Sequence, residues 1–191
     1  MLNNLRKYDI VLASNSPRRR ELLATLGIDF RVHVIKGINE TYPASMPVMR
    51  IAEHLAALKA HAYKLTPHEM LITADTVVIL DDQVLGKPQD EAEACAMLRS
   101  LSGRRHAVVT GVSITTREKA CSFSQCTMVE FAHLSEEEIS YYVTRFRPFD
   151  KAGAYGIQEW IGYIGVKSIS GCYYNVMGLP VQRLYEELTK F

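Results

Sequence analysis

Nothing in this sequence runs apolar for the roughly 20 residues that a membrane span needs, and the longest such run is broken by Asp75. The stretch from Met1 to Asp9 is polar and has no apolar signal core, so a cytoplasmic protein with no membrane partner is expected. Cysteine is sparse and unpatterned. Cys95, Cys121, Cys126 and Cys172 form no CxxC pair, which speaks against a disulfide framework of the small secreted kind and for reduced thiols. Only Cys121 and Cys126 are close together and no histidine motif stands beside them, so no zinc site is expected. An excess of one charge is missing too: 22 Lys+Arg stand against 21 Asp+Glu, a net +1. That leaves no electrostatic footprint for polymeric nucleic acid, while a small polyanion held locally stays compatible. There is no GxxxxGK[ST], no GxGxxG after a strand and no GxSxG, which excludes the P-loop, the dinucleotide fingerprint and the hydrolase elbow. Repeats, linkers and low-complexity tracts are absent. A length of 191 residues bounds one domain, spanning 1–191, with room for two lobes.

What is present centres on Ala13 to Leu23. Ile10 to Ala13 reads as a buried strand, and Leu22, Leu23 and Leu26 fall at helical spacing, with Gly27 as a stop. Ser16 is a good N-cap and Pro17 suits the first helical position. Arg18, Arg19 and Arg20 then crowd the first turn, where the helix dipole is already positive and carboxylates are preferred. Either the arginines splay into solvent, or an anion sits on the helix terminus and is held by backbone N–H groups, serine hydroxyls and guanidinium forks. The second reading makes the loop a phosphate cradle.

Further along, Phe30 to Ile35 alternates like a half-exposed strand, and a loop follows with Glu40 near its middle. Glu40 is either a solvated loop acid or a carboxylate facing the cradle. Pro47 to Leu65 reads as a helix with Val48, Ile51, Ala52, Leu55, Leu58 and Ala62 as its apolar stripe. Lys59 lies on or beside that stripe, and either snorkels to the edge or reaches an internal anion. Leu71 to Leu80 is a β-branched, near-continuous apolar run, hence a central strand interrupted by Asp75. Burying that carboxylate unpaired costs several kcal/mol, so it must meet a partner, a metal ion or a water-filled cleft. Val84-Leu85 returns as a second strand and Pro88 stops it, leaving Lys87 at its end. Asp90 with Glu93, and Ser135 with Glu138, cap two more helices. His106 to Thr115 and Cys121 to Phe131 form a long hairpin around Arg117 to Lys119. The segment Asp150 to Gln158 is rich in small residues that permit tight turns or close approach to a ligand. A terminal helix follows Pro180, and Tyr173 and Tyr174 are expected to pack.

Strands alternating with helices, plus one hairpin, argue for a mixed α/β sheet. The polar inventory combines cations (Arg18, Arg19, Lys59, Lys87) with isolated carboxylates (Glu40, Asp75). Cations suit a polyphosphate, and the carboxylates tolerate it when a divalent ion lies between. Physical reasoning thus reaches a Mg-dependent enzyme acting on a phosphate ester or anhydride.

Taken together, several motifs carry the reading further. They are Ala13 to Leu23, Ala74 to Val78, Gly86 to Pro88, Leu101 to Gly103, Asp150 to Gln158 and Val176 to Pro180. In these, the sequence resembles the Maf family of nucleoside triphosphate pyrophosphatases from about Ile10 to Leu188. The resemblance implies a two-lobed α/β fold with a mixed, bent sheet flanked by helices, similar to inosine triphosphate pyrophosphatases, and a cleft between the lobes. It implies hydrolysis of a nucleoside triphosphate to monophosphate and pyrophosphate with a divalent cation, Mg²⁺ first and Mn²⁺ or Co²⁺ as alternatives. A homodimer is compatible with it. Asp75 matches the family's catalytic proton acceptor, and Ser14, Arg18, Arg19, Glu40, Lys59 and Lys87 match its polar active-site set, with Glu40 and Asp75 as the metal ligands. Arg18, Thr76 and Gln158 match positions tied to base choice, and a threonine after the aspartate resembles the branch acting on dTTP and UTP. The branch favouring 7-methyl-GTP typically has glutamine there. Two rivals stand beside this: a modified-nucleotide pyrophosphatase, and a non-catalytic nucleotide-binding regulator of cell division. Phe146-Arg147-Pro148 departs from the family's common Gly-Glu-Pro, and Gly86 stands where some relatives carry glutamate.

Overall fold

A computed structural model describes residues 2–191. The strands are β1 (Asp9–Leu12), β2 (Arg31–Val32), β3 (Glu69–Leu80), β4 (Gln83–Leu85), β5 (Arg105–Thr115), β6 (Ala120–Phe131) and β7 (Val166–Ser170). The helices are α1 (Pro17–Ala24), α2 (Val48–His61), α3 (Glu91–Leu101), α4 (Glu136–Phe146), α5 (Trp160–Gly165), α6 (Tyr173–Met177) and α7 (Val181–Leu188). The strands form one mixed sheet in the order β2-β1-β3-β5-β6-β7, with β4 also paired to β3. β1 runs parallel to both β2 and β3, whereas β4 on β3 and β7 on β6 are antiparallel. The expected α/β class with a mixed sheet and flanking helices is therefore the observed one. No helix among the described residues is long and apolar enough to cross a membrane.

Local sequence accounts for most boundaries. Ser16 caps α1 by accepting from the Arg19 amide, with Pro17 at the first helical position. Asp90 caps α3 through the Glu93 amide, and Ser135 and Glu138 close a reciprocal capping box on α4. Asp81 and Asp82 both take left-handed φ, of 50° and 60°, which lets two residues turn β3 into β4. Three elements differ from the sequence reading. The strand expected over Phe30 to Ile35 is only Arg31–Val32, both exposed on the outermost strand, where one neighbour supplies all the pairing. α2 ends at His61 rather than running to Leu65. Tyr173 and Tyr174 are 39% and 48% exposed and do not pack inward as expected.

The chain divides into two compact units. The first comprises Met1–Asp75, Thr110–Gln125 and Gly178–Phe191; the second comprises Thr76–Val109 and Cys126–Met177. In the first, α2 lies directly on the sheet because Gly111 has no side chain. A Cβ there would sit 2.2 Å from the Ala52 carbonyl carbon and 2.3 Å from the Glu53 amide nitrogen. In the second, Leu98, Leu101, Val129, Phe131, Ile139, Tyr142 and Ile161 belong to one apolar core. His106 is buried in that unit at 1% exposure, edge-on to Phe131 and Tyr155, with Nε2 2.8 Å from the Tyr155 hydroxyl. Burial pushes its pKa down to about 4.

Gly111→Ala should therefore force α2 off the sheet and cost about 3 kcal/mol, the upper range for overpacking, read as a lower urea midpoint. His106 generates a pH dependence whose sign follows from its depressed pKa. The unfolded chain takes up the proton near pH 6.5 while the folded one resists it to about pH 4. Stability is thus full above pH 6.5, falls as pH drops through this window, and has lost about 3 kcal/mol below it. His106→Gln should remove this part of the acid sensitivity; equal sensitivity in both proteins at pH 4.5 would assign it elsewhere.

Candidate active site

The topology itself marks a place for a ligand. From β1 the chain passes through α1 to β2 on one side, and from β2 through α2 to β3 on the other. Crossovers that depart in opposite directions open a crevice at the carboxyl end of the central strand, where α/β sheets bind their ligands. Here that end is β1, and the residues beyond it are Ala13 to Ser16 and the N-terminus of α1.

Ser14 is buried at 6% exposure, and its Oγ accepts from the Ser16 amide at 3.2 Å. Arg19 Nη1 reaches the same oxygen at 3.5 Å, while Nε donates to the Gly178 carbonyl at 2.8 Å. Arg19 therefore does not splay into solvent. It is pinned across the unit to the Val176 to Pro180 motif, which the sequence matched without assigning it a role. Burial pushes the Arg19 guanidinium below its ordinary value, the Asp75 carboxylate pushes it back up, and Arg18 and Glu40 act more weakly in opposite directions. These four charges thus share one neighbourhood in the first unit.

Asp75 lies where the β3 ladder changes partner. β1 pairs with Glu69 to Ile72 and β4 with Val78 to Leu80, so Asp75 falls between the two registers. On its own face of the strand, Thr73 Oγ1 donates to the Ala56 carbonyl at 2.6 Å and fixes α2 along β3. One turn on, Lys59 Nζ meets Asp75 Oδ1 at 2.5 Å and Glu40 Oε2 at 2.9 Å. Lys59 and Asp75 are each 15% exposed and Glu40 is 47% exposed. The alternatives left open by the sequence are decided here: Lys59 reaches inward, and Glu40 turns toward the same cation. The Glu40 loop is tied to α2 and the residues just after it on both sides. Before it, the Tyr63 hydroxyl accepts from the Ile35 amide and donates to the His33 carbonyl; after it, His54 Nε2 lies 3.2 Å from the Thr41 carbonyl.

Strand alternation sends Thr76 to the opposite face from Asp75. Thr76 belongs to the second unit and shares its face with Val78. Gly153 packs on Val78 so closely that a Cβ would lie 3.0 Å from its methyls. The Gly153 amide donates to the Gly86 carbonyl at 3.0 Å. This bond joins the Gly86 to Pro88 motif, with exposed Lys87, to the Asp150 to Gln158 loop. In that loop Gln158 Oε1 is buried with no hydrogen-bond partner, an exception that calls for a ligand or a water. The structure thus gathers Ser14, Arg18, Arg19, Glu40, Lys59 and Asp75 in the first unit, and Thr76, Lys87 and Gln158 in the second. Sequence reasoning missed Tyr63 and His54, whose role is visible only once the loop is placed against them.

Glu40 and Asp75 converge on one ammonium, so their oxygens are near enough to share a cation. No cluster of three or more His, Cys, Asp or Glu among the described residues could hold a metal by itself. Two carboxylates without a third ligand suit a hard divalent ion whose coordination is completed by substrate phosphates and water.

Comparison with known proteins identifies the family. A curated relative from Bacteroides thetaiotaomicron named dTTP/UTP pyrophosphatase is 58% identical over 192 residues, covering 100% of both chains. One of the same name from Porphyromonas gingivalis is 55% identical over 195 residues, covering 100% of this chain and 98% of its own. Among solved structures, the Ham1 protein of Staphylococcus aureus matches with a TM-score of 0.54 at 20% identity, over 94% of this chain and 99% of that one. At that identity the likeness concerns the fold alone. The family model described as Maf-like protein matches residues 9–191, and the chain belongs to the Maf family.

Proposed function

We propose that the protein hydrolyses the α–β anhydride of dTTP and UTP, giving the nucleoside monophosphate and pyrophosphate. The full-length similarity to proteins named dTTP/UTP pyrophosphatase supports the reaction and the substrate class. The observation that carries the chemistry is the Lys59 ammonium held between Asp75 and Glu40, in the unit where α1 presents its arginines.

In this reading Asp75 accepts a proton from the water that attacks the α-phosphorus. The new P–O bond forms as the bond to the bridging oxygen of the β-phosphate breaks, and that electron pair leaves with pyrophosphate. Arg18, Arg19 and Lys59 take up negative charge developing on the leaving group, the Ser14 loop holds a phosphate, and Lys87 contributes a further cation. Lys59 also holds the Asp75 carboxylate in a fixed orientation through Oδ1. A carboxylate accepts several hydrogen bonds, so this contact does not exhaust its capacity. Glu40 and Asp75 would hold a divalent cation, Mg²⁺ first, which supplies the charge neutralisation that a triphosphate needs beside two carboxylates. Thr76 and the unpartnered amide oxygen of Gln158 serve base choice, since an amide offers the donor and acceptor that a pyrimidine edge requires. All four cysteines are free thiols, in keeping with a cytoplasmic nucleotide enzyme.

Incubation with Mg²⁺ and a panel of nucleoside triphosphates, with pyrophosphate and orthophosphate assayed separately, tests the reaction. Pyrophosphate should arise chiefly from dTTP and UTP; orthophosphate alone would mean that a different bond is cut. Asp75→Asn should lower turnover by about 10²–10⁴, the usual contribution of a positioned base, while the unfolding curve stays near that of the parent. Near-normal turnover would remove Asp75 from the proton transfer.

A further inference from the structure

The second unit contains a polar network that none of the roles above uses. Lys151 is buried at 7% exposure, and its ammonium meets Asp150 Oδ1 at 2.7 Å and Glu159 Oε1 at 3.0 Å. The Tyr142 hydroxyl, reaching in from α4, donates to Glu159 Oε2 and accepts from the Gly156 amide at 3.0 Å. Burial, and then the Glu159 carboxylate, push this phenol above its ordinary pKa, so it remains a donor. Lys151 and Glu159 thus tie the two ends of the loop together, and Tyr142 braces its second half from outside.

Between those ties the backbone is unusual. Gly153 and Ala154 are consecutive left-handed residues, at φ 66° and 59°, and Ala154 is fully buried. A non-glycine residue in that region persists only where its surroundings over-determine it. Here the surroundings are the Gly86 carbonyl on the Gly153 amide, His106 on the Tyr155 hydroxyl, and Tyr142 on the Gly156 amide. Gln158 follows directly, its amide oxygen buried and without a hydrogen-bond partner. A long, flexible amide discriminates one ligand edge from another only when its backbone is held to about 0.5 Å.

We propose that Tyr142 and Glu159 are positioning residues for base selection: they clamp the Lys151–Gln158 loop so that the Gln158 amide meets the nucleobase in one orientation. The inference rests on the reading that Gln158 recognises the base. Neither residue belongs to the phosphate-binding set proposed above, so the clamp governs which nucleotide is accepted and leaves the bond that is cut unchanged.

The test compares kcat/KM for dTTP and UTP with that for GTP in the parent protein, Tyr142→Phe, Glu159→Gln and Gln158→Ala, alongside hydrogen exchange at the Gly156 amide. Tyr142→Phe should lower the pyrimidine-to-purine ratio about tenfold, mostly through KM, speed exchange at Gly156, and still release pyrophosphate. A purely structural role would lower stability or overall activity and leave that ratio alone. An unchanged ratio in Tyr142→Phe, with faster exchange at Gly156, would overturn the clamp. Should Tyr142→Phe not fold, Glu159→Gln decides the matter, because it keeps an acceptor for the phenol and removes the ionic tie to Lys151; an unchanged ratio there has the same meaning. Gln158→Ala separates the two ideas. If it loses selectivity while the clamp variants keep theirs, only the clamp fails; if it keeps selectivity, the underlying reading of Gln158 fails as well.

Discussion

A carboxylate within an apolar strand needs a partner, and Asp75 obtains a cation, Lys59, at 2.5 Å. Much of the first unit can be understood from what that contact requires. Lys59 must arrive at the right height along β3, and the Thr73 hydroxyl bond to the Ala56 carbonyl sets that height one turn earlier. α2 must lie close to the sheet, and Gly111 permits the approach to Ala52. The ammonium carries one charge and has three donors, so it can also attract Glu40. Tyr63 and His54 then hold the backbone of that loop at either side. Removing Lys59 would leave two carboxylates facing one another across the site.

The position of Asp75 follows equally from the strand pairing. A β3 bonded along its whole length by a single neighbour would leave little room for a polar group at its centre. Instead β1 ends at Leu12 and turns out through Ser14 into α1, while β4 joins only from Val78 onward. The residues between them are freed from either ladder on that edge. This is also where the crossovers to β2 and β3 diverge, so the arginine-bearing N-terminus of α1 belongs to the same end of the sheet. The cluster of charge around Arg19, which includes Arg18, Glu40 and Asp75, is thus a consequence of topology as well as of residue type.

The features legible in the sequence were those in which local chemistry conflicts with, or completes, a local pattern. Ser16 before Pro17 specifies a helix start within four residues, and Asp75 contradicts the apolar run around it. The capping pairs Asp90/Glu93 and Ser135/Glu138 are similarly self-contained. Lys59 was only half legible, since a lysine beside an apolar stripe is compatible with snorkelling until the strand facing it is known. Gly111 could not be read, because its need for a missing side chain is set by Ala52 and Glu53, which are distant in sequence. The shortness of β2 was hidden for a related reason: alternation shows which residues could pair, and the number of available neighbours decides how many do. The ring of Tyr142 packs in the apolar core of the second unit, and its hydroxyl acquires meaning only through Glu159 and Gly156.

Phe146 and Arg147 bear on the same loop. Phe146 stacks on Tyr142 with ring centroids 5.1 Å apart and planes inclined by 25°. Arg147 takes a left-handed φ of 47° as the C-cap of α4, its amide bonded to the Val143 carbonyl and its guanidinium 5.5 Å from the Phe149 ring centre. A non-glycine residue at that φ is less comfortable than glycine, and the stacking on Phe149 together with the cap bond offsets part of the strain. α4 therefore ends in a left-handed cap at Arg147, with Pro148 immediately after it. Phe146, by contrast, gives Tyr142 lateral support through a stacked ring on the helix that carries both. This aromatic neighbour restricts the phenol's rotation, so the direction of its hydroxyl toward Glu159 is set by packing as well as by hydrogen bonding. Phe146 thus reinforces the element that holds the Lys151–Gln158 loop.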